Sequence, residues 1–205
     1  MGIFVDDLPL ELFTMALVMV LSLYITANGF LKYKKNRNSN PEQTMREGGL
    51  PLGIMAIVIL VLAIYGEFRW PLPGSYNILF YDPYILFGTI VLMMAISLWL
   101  KQKLQYAGFL ALFSGLITIF YGSNGYIDKM TSEPLAMFGL YIAFGLTGVF
   151  TYPATLMFDG AENGKSTGNV WVIILVIFWL GLVVSSVLAA MIGLEAVPAH
   201  LLHPP

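Results

Sequence analysis

The chain has 205 residues, of which 58% are hydrophobic and 11% charged, with a formal net charge of −2 and a mean hydropathy of +0.79. A soluble domain of this length cannot enclose that much apolar surface, so the surface must face lipid, and with no net basic field there is nothing to attract nucleic acid. Cysteine is absent, which excludes disulfides, thiolate zinc sites, iron–sulfur clusters and a cysteine nucleophile.

The chain opens Met1-Gly2-Ile3-Phe4-Val5-Asp6-Asp7. It lacks the positive start of a secretory signal, and Asp6 stands where a myristoylation motif wants Ser or Thr, so neither cleavage nor a lipid anchor is expected. Crossing the hydrocarbon layer takes a helix of roughly 20 apolar residues. Six stretches qualify, at Leu10–Leu31, Leu50–Phe68, Tyr84–Leu100, Leu104–Gly125, Pro134–Phe158 and Val170–Leu194, with only Glu11 and Glu67 charged inside them. The period-2 alternation of a β-barrel is missing, as Ile57-Val58-Ile59-Leu60-Val61-Leu62 shows. The expected fold is an all-α polytopic bundle of about six helices, forming one integral membrane domain over residues 1–205.

Loops after the first, third and fifth helices hold Lys32, Lys34, Lys35, Arg37, Arg46, Lys101, Lys103 and Lys165, eight of the ten cations. The positive-inside rule puts those loops in the cytoplasm and both termini outside, in the plasma membrane.

The hairpins look repeated. The third helix opens Asp82-Pro83-Tyr84-Ile85-Leu86-Phe87-Gly88 and the fifth Glu133-Pro134-Leu135-Ala136-Met137-Phe138-Gly139, with acid, Pro, Phe and Gly at one spacing. The second ends Ile64-Tyr65-Gly66 and the fourth Phe120-Tyr121-Gly122, and Asp7, Pro9 and Phe13 give a looser echo in the first. Three parallel two-helix hairpins about an axis along the membrane normal would explain this. The simpler reading of each acid–Pro pair is a helix start, an N-cap followed by Pro at the first helical position.

Small residues recur every four positions, which allows helices to pack closely in lipid. They are Ala107, Ala111 and Gly115; Gly139, Ala143, Thr147, Thr151 and Thr155; and Gly181, Ser185, Ala189 and Gly193. Pro153 should kink the fifth helix, with Thr151 and Thr155 bonding the freed backbone groups.

Candidate sites are few. Gly160-Ala161-Glu162-Asn163-Gly164-Lys165-Ser166-Thr167 approaches a phosphate-binding loop, but its glycines are one residue too close and no strand precedes it, so a polar turn is expected. His200 and His203, the only histidines, lie beside Pro204 and Pro205; a metal clip with Glu195 is the functional reading, and the prolines oppose the helix it needs. Met15 and Met19 share a helix face and read as packing ahead of a soft-ion site. No catalytic residue, bound metal or cofactor is expected.

Nine polar groups fall at one boundary: Glu11, Glu67, Arg69, Asn77, Asp82, Tyr121, Asn124, Asp128 and Glu133. Polar groups at membrane depth are costly unless paired or wetted, so this cluster is a candidate outward-facing vestibule. The bland alternative is an aromatic belt of Trp70, Tyr76, Tyr81 and Tyr84 with Pro-Gly turns. Arg69 is expected to pair with Asp82 or Asp128, and Glu67 with Tyr121 or Asn124.

The run from Trp70 to Pro83, with Tyr121-Gly122 and Glu133-Pro134-Leu135-Ala136-Met137-Phe138, resembles a prokaryotic, largely archaeal family of membrane proteins, the domain-of-unknown-function family numbered 981. The resemblance implies a multi-pass membrane protein and carries over no activity, cofactor or catalytic residue. Two functions from different classes remain. One is a non-catalytic structural or accessory subunit that meets lipid and other membrane subunits or copies of itself. The other is a small channel or transporter, opposed by the lack of an ionisable group at midplane. An intramembrane enzyme is a third, with no histidine in the bundle to serve it.

Overall fold

The computed structural model describes residues 8–36, 41–72, 74–162 and 168–202. Among them all regular structure is helical: α1 (Leu8–Lys35), α2 (Pro41–Arg46), α3 (Gly49–Arg69), α4 (Tyr76–Leu100), α5 (Gln105–Ile127), α6 (Pro134–Glu162) and α7 (Asn169–Leu202). All but α2 are long and apolar enough to cross a bilayer. Helix is the form that lets an unbroken apolar stretch satisfy its own backbone in lipid, so the protein is a multi-pass membrane protein.

The six long helices form a ring. α1 packs on α3, α3 on α4, α4 on α5, α5 on α6, α6 on α7, and α7 returns to α1; across the middle the described long helices keep their backbones apart and meet only through side chains, Thr14 with Tyr84, Tyr141 with Leu79 and Phe87 with Phe144. Packing is closest in α3–α4, α5–α6 and α1–α7 and looser in the three joints between them. The short α2 touches α1, α3, α4 and α6, so it lies across one mouth of the ring. Its Met45 is only 1% exposed. Gly29 lets it approach α1, because a Cβ there would come within 2.7 Å of the Met45 side chain. Lys32, Lys34, Lys35, Arg46, Lys101 and Lys103 gather at this basic end; the α3–α4 and α5–α6 turns form the opposite, acidic end.

The small residues act as expected on α5. A Cβ on Gly115 would strike the Gly145 carbonyl of α6, and one on Gly148 would come within 2.8 Å of the Ala111 carbonyl. On α6, however, Gly145 and Gly148 meet α5, whereas Gly139 faces open space. Thr147 turns instead toward α7, where its hydroxyl lies 3.2 Å from that of Ser185 and where a Cβ on Gly181 would touch it.

Three local expectations are corrected. α4 begins at Tyr76, eight residues before the expected start, so Asp82–Pro83 lies inside the helix while Pro134 is the first residue of α6. The two acid–Pro pairs are therefore not at equivalent helix starts. At Pro153, Thr151 bonds the Thr147 carbonyl and Thr155 the Tyr152 carbonyl, so neither takes up the Val149 carbonyl that the proline releases. Finally, α7 runs on to Leu202 with Pro198 inside it, past the expected end at Leu194.

Candidate functional site

The ring encloses a chamber of about 190 Å³. On α1 its lining runs from Leu8 to Thr26, on α4 from Phe80 to Leu98 and on α6 from Leu140 to Phe158. Eighteen residues of helix is about 27 Å, so the chamber runs nearly the depth of the hydrocarbon layer. Met15, Met19, Met45 and Met94 are among the lining side chains, and the pair Met15/Met19 thus serves as wall. Several hydroxyls also line it, but most are spent on the backbone of their own helix: Thr26 on Ser22, Thr118 on Ser114, Thr147 on Ala143, Thr151 on Thr147. The interior is therefore chemically close to hydrocarbon.

Its acidic end is polar. Glu11, in the first turn of α1 and 2% exposed, reaches the chamber there. A helix N-terminus favours a carboxylate, which lowers the cost of burying one. One turn on, Thr14 donates to the Glu11 carbonyl at 2.8 Å and lies 2.7 Å from the Tyr84 hydroxyl of α4. Tyr141 of α6 donates to the Leu79 carbonyl at 2.5 Å. That is the carbonyl Pro83 leaves without its helical partner, since proline has no N–H to give. A phenol reaching across the ring from α6 thus lets α4 continue through a proline.

The basic end is held by Asp159, which accepts from the backbone N–H groups of Leu104 at 3.0 Å and Gln105 at 2.9 Å. An acid on α6 caps the start of α5, whose own N-cap residue Leu104 has no side-chain donor or acceptor to offer.

The whole length of this ring falls under one family profile, matched over residues 1–203. The chain belongs to the DUF981 family, proteins of unknown function. No curated protein and no solved structure matches it.

In this DUF981 protein the nine groups expected to share a vestibule are divided among four settings. Glu67, Asp82 and Tyr121 come together at the acidic end, where the Tyr121 hydroxyl donates to Asp82 Oδ2 and the Glu67 carboxyl adjoins that of Asp82. Glu67 Oε1 is enclosed without a hydrogen-bond donor, so Glu67 faces Asp82 in place of the expected Tyr121 or Asn124. Asn77 is wholly buried and structural. Its Nδ2 donates to the Gly66 carbonyl at 3.2 Å and its Oδ1 accepts from Leu72 N–H at 3.4 Å, tying the end of α3 to the start of α4. Glu11 belongs to the chamber. Arg69, Asn124, Asp128 and Glu133 are exposed; Asn124 Nδ2 bonds its own helix at Phe120, and among the described residues Arg69 makes no ion pair with Asp82 or Asp128. The aromatic belt is likewise partial, because Tyr81 and Tyr84 are buried while Trp70 is half exposed.

Of the other sequence candidates, Gly160–Glu162 finishes α6 and 163–167 lie outside the described residues. So do His203 and the side chain of His200, which leaves the metal clip undescribed. No group of three His, Asp or Glu that could hold a metal occurs among the described residues. Sequence reasoning missed Thr14, Tyr84, Tyr141 and Asp159 as polar groups of the interior. A usable signal existed for two: Tyr141 is a phenol within the fifth apolar stretch, and Asp159 follows immediately on its expected end.

Proposed function

We propose that the protein is a non-catalytic integral membrane protein, a structural or accessory subunit of a larger membrane assembly, seated in the plasma membrane with both termini outside the cytoplasm. The observation that carries this is the chamber's wall. A conducting path needs polar groups or water along its length, and here hydrocarbon side chains line the ring while α2 and Met45 cover the basic mouth. Among the described residues little stands outside the ring to work on a soluble substrate, and the ring's exterior is broadly apolar, suited to lipid, to other subunits or to a second copy. The orientation rests on the six described cations at the basic end.

The second reading, a small channel or transporter, is favoured by the Glu67–Asp82–Tyr121 group, which would form a polar outer vestibule. Purified protein in liposomes separates the two. Silence to ions and small solutes, with reproducible partners after extraction in mild detergent, supports the subunit; saturable flux reduced by Glu67→Gln supports the transporter and overturns it. For orientation, single cysteines at Ser75 and Ser132 should react with an impermeant thiol reagent in intact cells, and those at Asn38 and Gly164 should not. The reverse pattern would invert the topology.

A further inference from the structure

A slender chamber that runs the depth of the bilayer is a poor place for water and a costly place for nothing. Apolar cavities of about 150 Å³ stay dry and take up apolar molecules, and an unfilled one deprives its lining of dispersion contacts. Here about 190 Å³ is drawn out along three helices between Glu11 and Met45, narrowed where Tyr84 reaches Thr14 and Phe87 meets Phe144. Most of the lining hydroxyls are turned back onto their helices, so little along its length selects a polar ligand. The single polar end is rich in acceptors. Glu11 and Tyr84 both line it, the Thr14 hydroxyl donates to the Glu11 backbone carbonyl and lies 2.7 Å from the Tyr84 hydroxyl, and Tyr141 is already committed to Leu79.

We propose that the chamber binds one hydrocarbon chain of about ten carbons, lying along the ring axis, whose polar end is a hydroxyl that donates to the Glu11 carboxyl. Lipid tails are as apolar as the chamber, so transfer from the bilayer gains little from the hydrophobic effect. The gain comes from the contacts an empty chamber forfeits and from the hydrogen bond at Glu11. A chain ending in a carboxylate would set two acid groups against each other at that end and is disfavoured. α2 closes the far end, which sets the length of chain accepted. The inference rests on the apolar, non-conducting interior of the proposed subunit.

The test uses the full chain in detergent micelles with tritiated decan-1-ol and decanoic acid. The expected result is saturable binding of the alcohol in preference to the acid. Ser114→Leu and Thr151→Leu, which place extra carbons on α5 and α6 where both residues line the chamber, should each weaken alcohol binding by about tenfold or more. Because they fill a void, neither is expected to lower the unfolding temperature, and two variants on different helices guard against one that fails to fold. Glu11→Gln should narrow the preference for alcohol over acid, a change that mere loss of packing would not produce. Absence of saturable alcohol binding, or binding that both leucine variants leave unchanged, overturns the inference while the subunit reading stands. Flux through liposomes overturns the non-conducting interior and the inference together.

Discussion

Asp82-Pro83 and Glu133-Pro134 begin two stretches with the same spacing of acid, Pro, Phe and Gly, and they have opposite places in the fold. Pro134 opens α6, and Glu133 is exposed. Pro83 is buried within α4, with Tyr76–Asp82 helical before it. The difference lies in what each stretch meets. Before Pro83, Asn77 anchors the Gly66 carbonyl, Tyr81 packs on Gly66, and Tyr141 satisfies Leu79. Before Glu133, the chain leaves α5 through a short turn in which Met130 N–H bonds the Gly125 carbonyl. A proline starts a helix by default; it is carried inside one when other helices supply the bonds it removes.

The largest break in this comparison is expected at Gly66. A Cβ there would overlap the buried Tyr81 ring, so Gly66→Ala should push the first turns of α4 off α3, at a cost near the upper end of about 1–3 kcal/mol for overpacking. Unfolding in mixed detergent micelles would measure it. A wild-type midpoint would mean that Tyr81 does not hold this register.

Tyr141→Phe comes next. It leaves the Leu79 carbonyl buried without a donor, which costs about 1–3 kcal/mol. Pro83→Ala restores an N–H to that carbonyl, so the double variant should recover much of the loss. Strict additivity in the double-mutant cycle would disconnect Tyr141 from the proline.

The glycines that end the two motifs sharpen the contrast at smaller scale. A methyl on Gly88 would lie 2.6 Å from Ile59, whereas one on Gly139 meets nothing within 4 Å. Gly88→Ala should destabilise by about 1 kcal/mol, and Gly139→Ala should be neutral or stabilise by up to about 1 kcal/mol through helix propensity. Equal effects would mean that the two helices present these faces to similar surroundings. The smallest effect is expected for the acid of the exposed pair, Glu133. Glu133→Gln should cost no more than about 0.5 kcal/mol, while Asp82→Ala strands the Tyr121 hydroxyl and should be the more damaging of the two.

The outer cluster shows where sequence reading stops. Glu67, Asp82 and Tyr121 all lie toward the outer boundary in the sequence, and they meet because α3, α4 and α5 are ring neighbours. The same reasoning swept in Arg69, Asn124 and Asp128, because depth along a helix says nothing about which way a side chain points around it. Glu11 shares that depth as well, yet its helix face turns it into the chamber. The small-residue stripes were legible on α5 for the opposite reason. A Gly or Ala every four residues marks one face whatever the partner, and only the partner's side, Gly145 and Gly148 in place of Gly139, waited on the fold.

By itself the sequence determined that this protein crosses a membrane on six helices, nearly where each runs, and which loops carry the cations. Those properties follow from hydropathy and length, which depend on one segment at a time. The tertiary structure alone decided that the helices close into a ring, that a hydrocarbon-lined chamber lies inside it, and that α2 covers one mouth. It also decided that α4 continues through Pro83. Each of these depends on pairs of groups distant in the chain, such as Tyr141 with Leu79 or Asp159 with Leu104, whose meeting is fixed by packing between helices and leaves no periodic trace within either one.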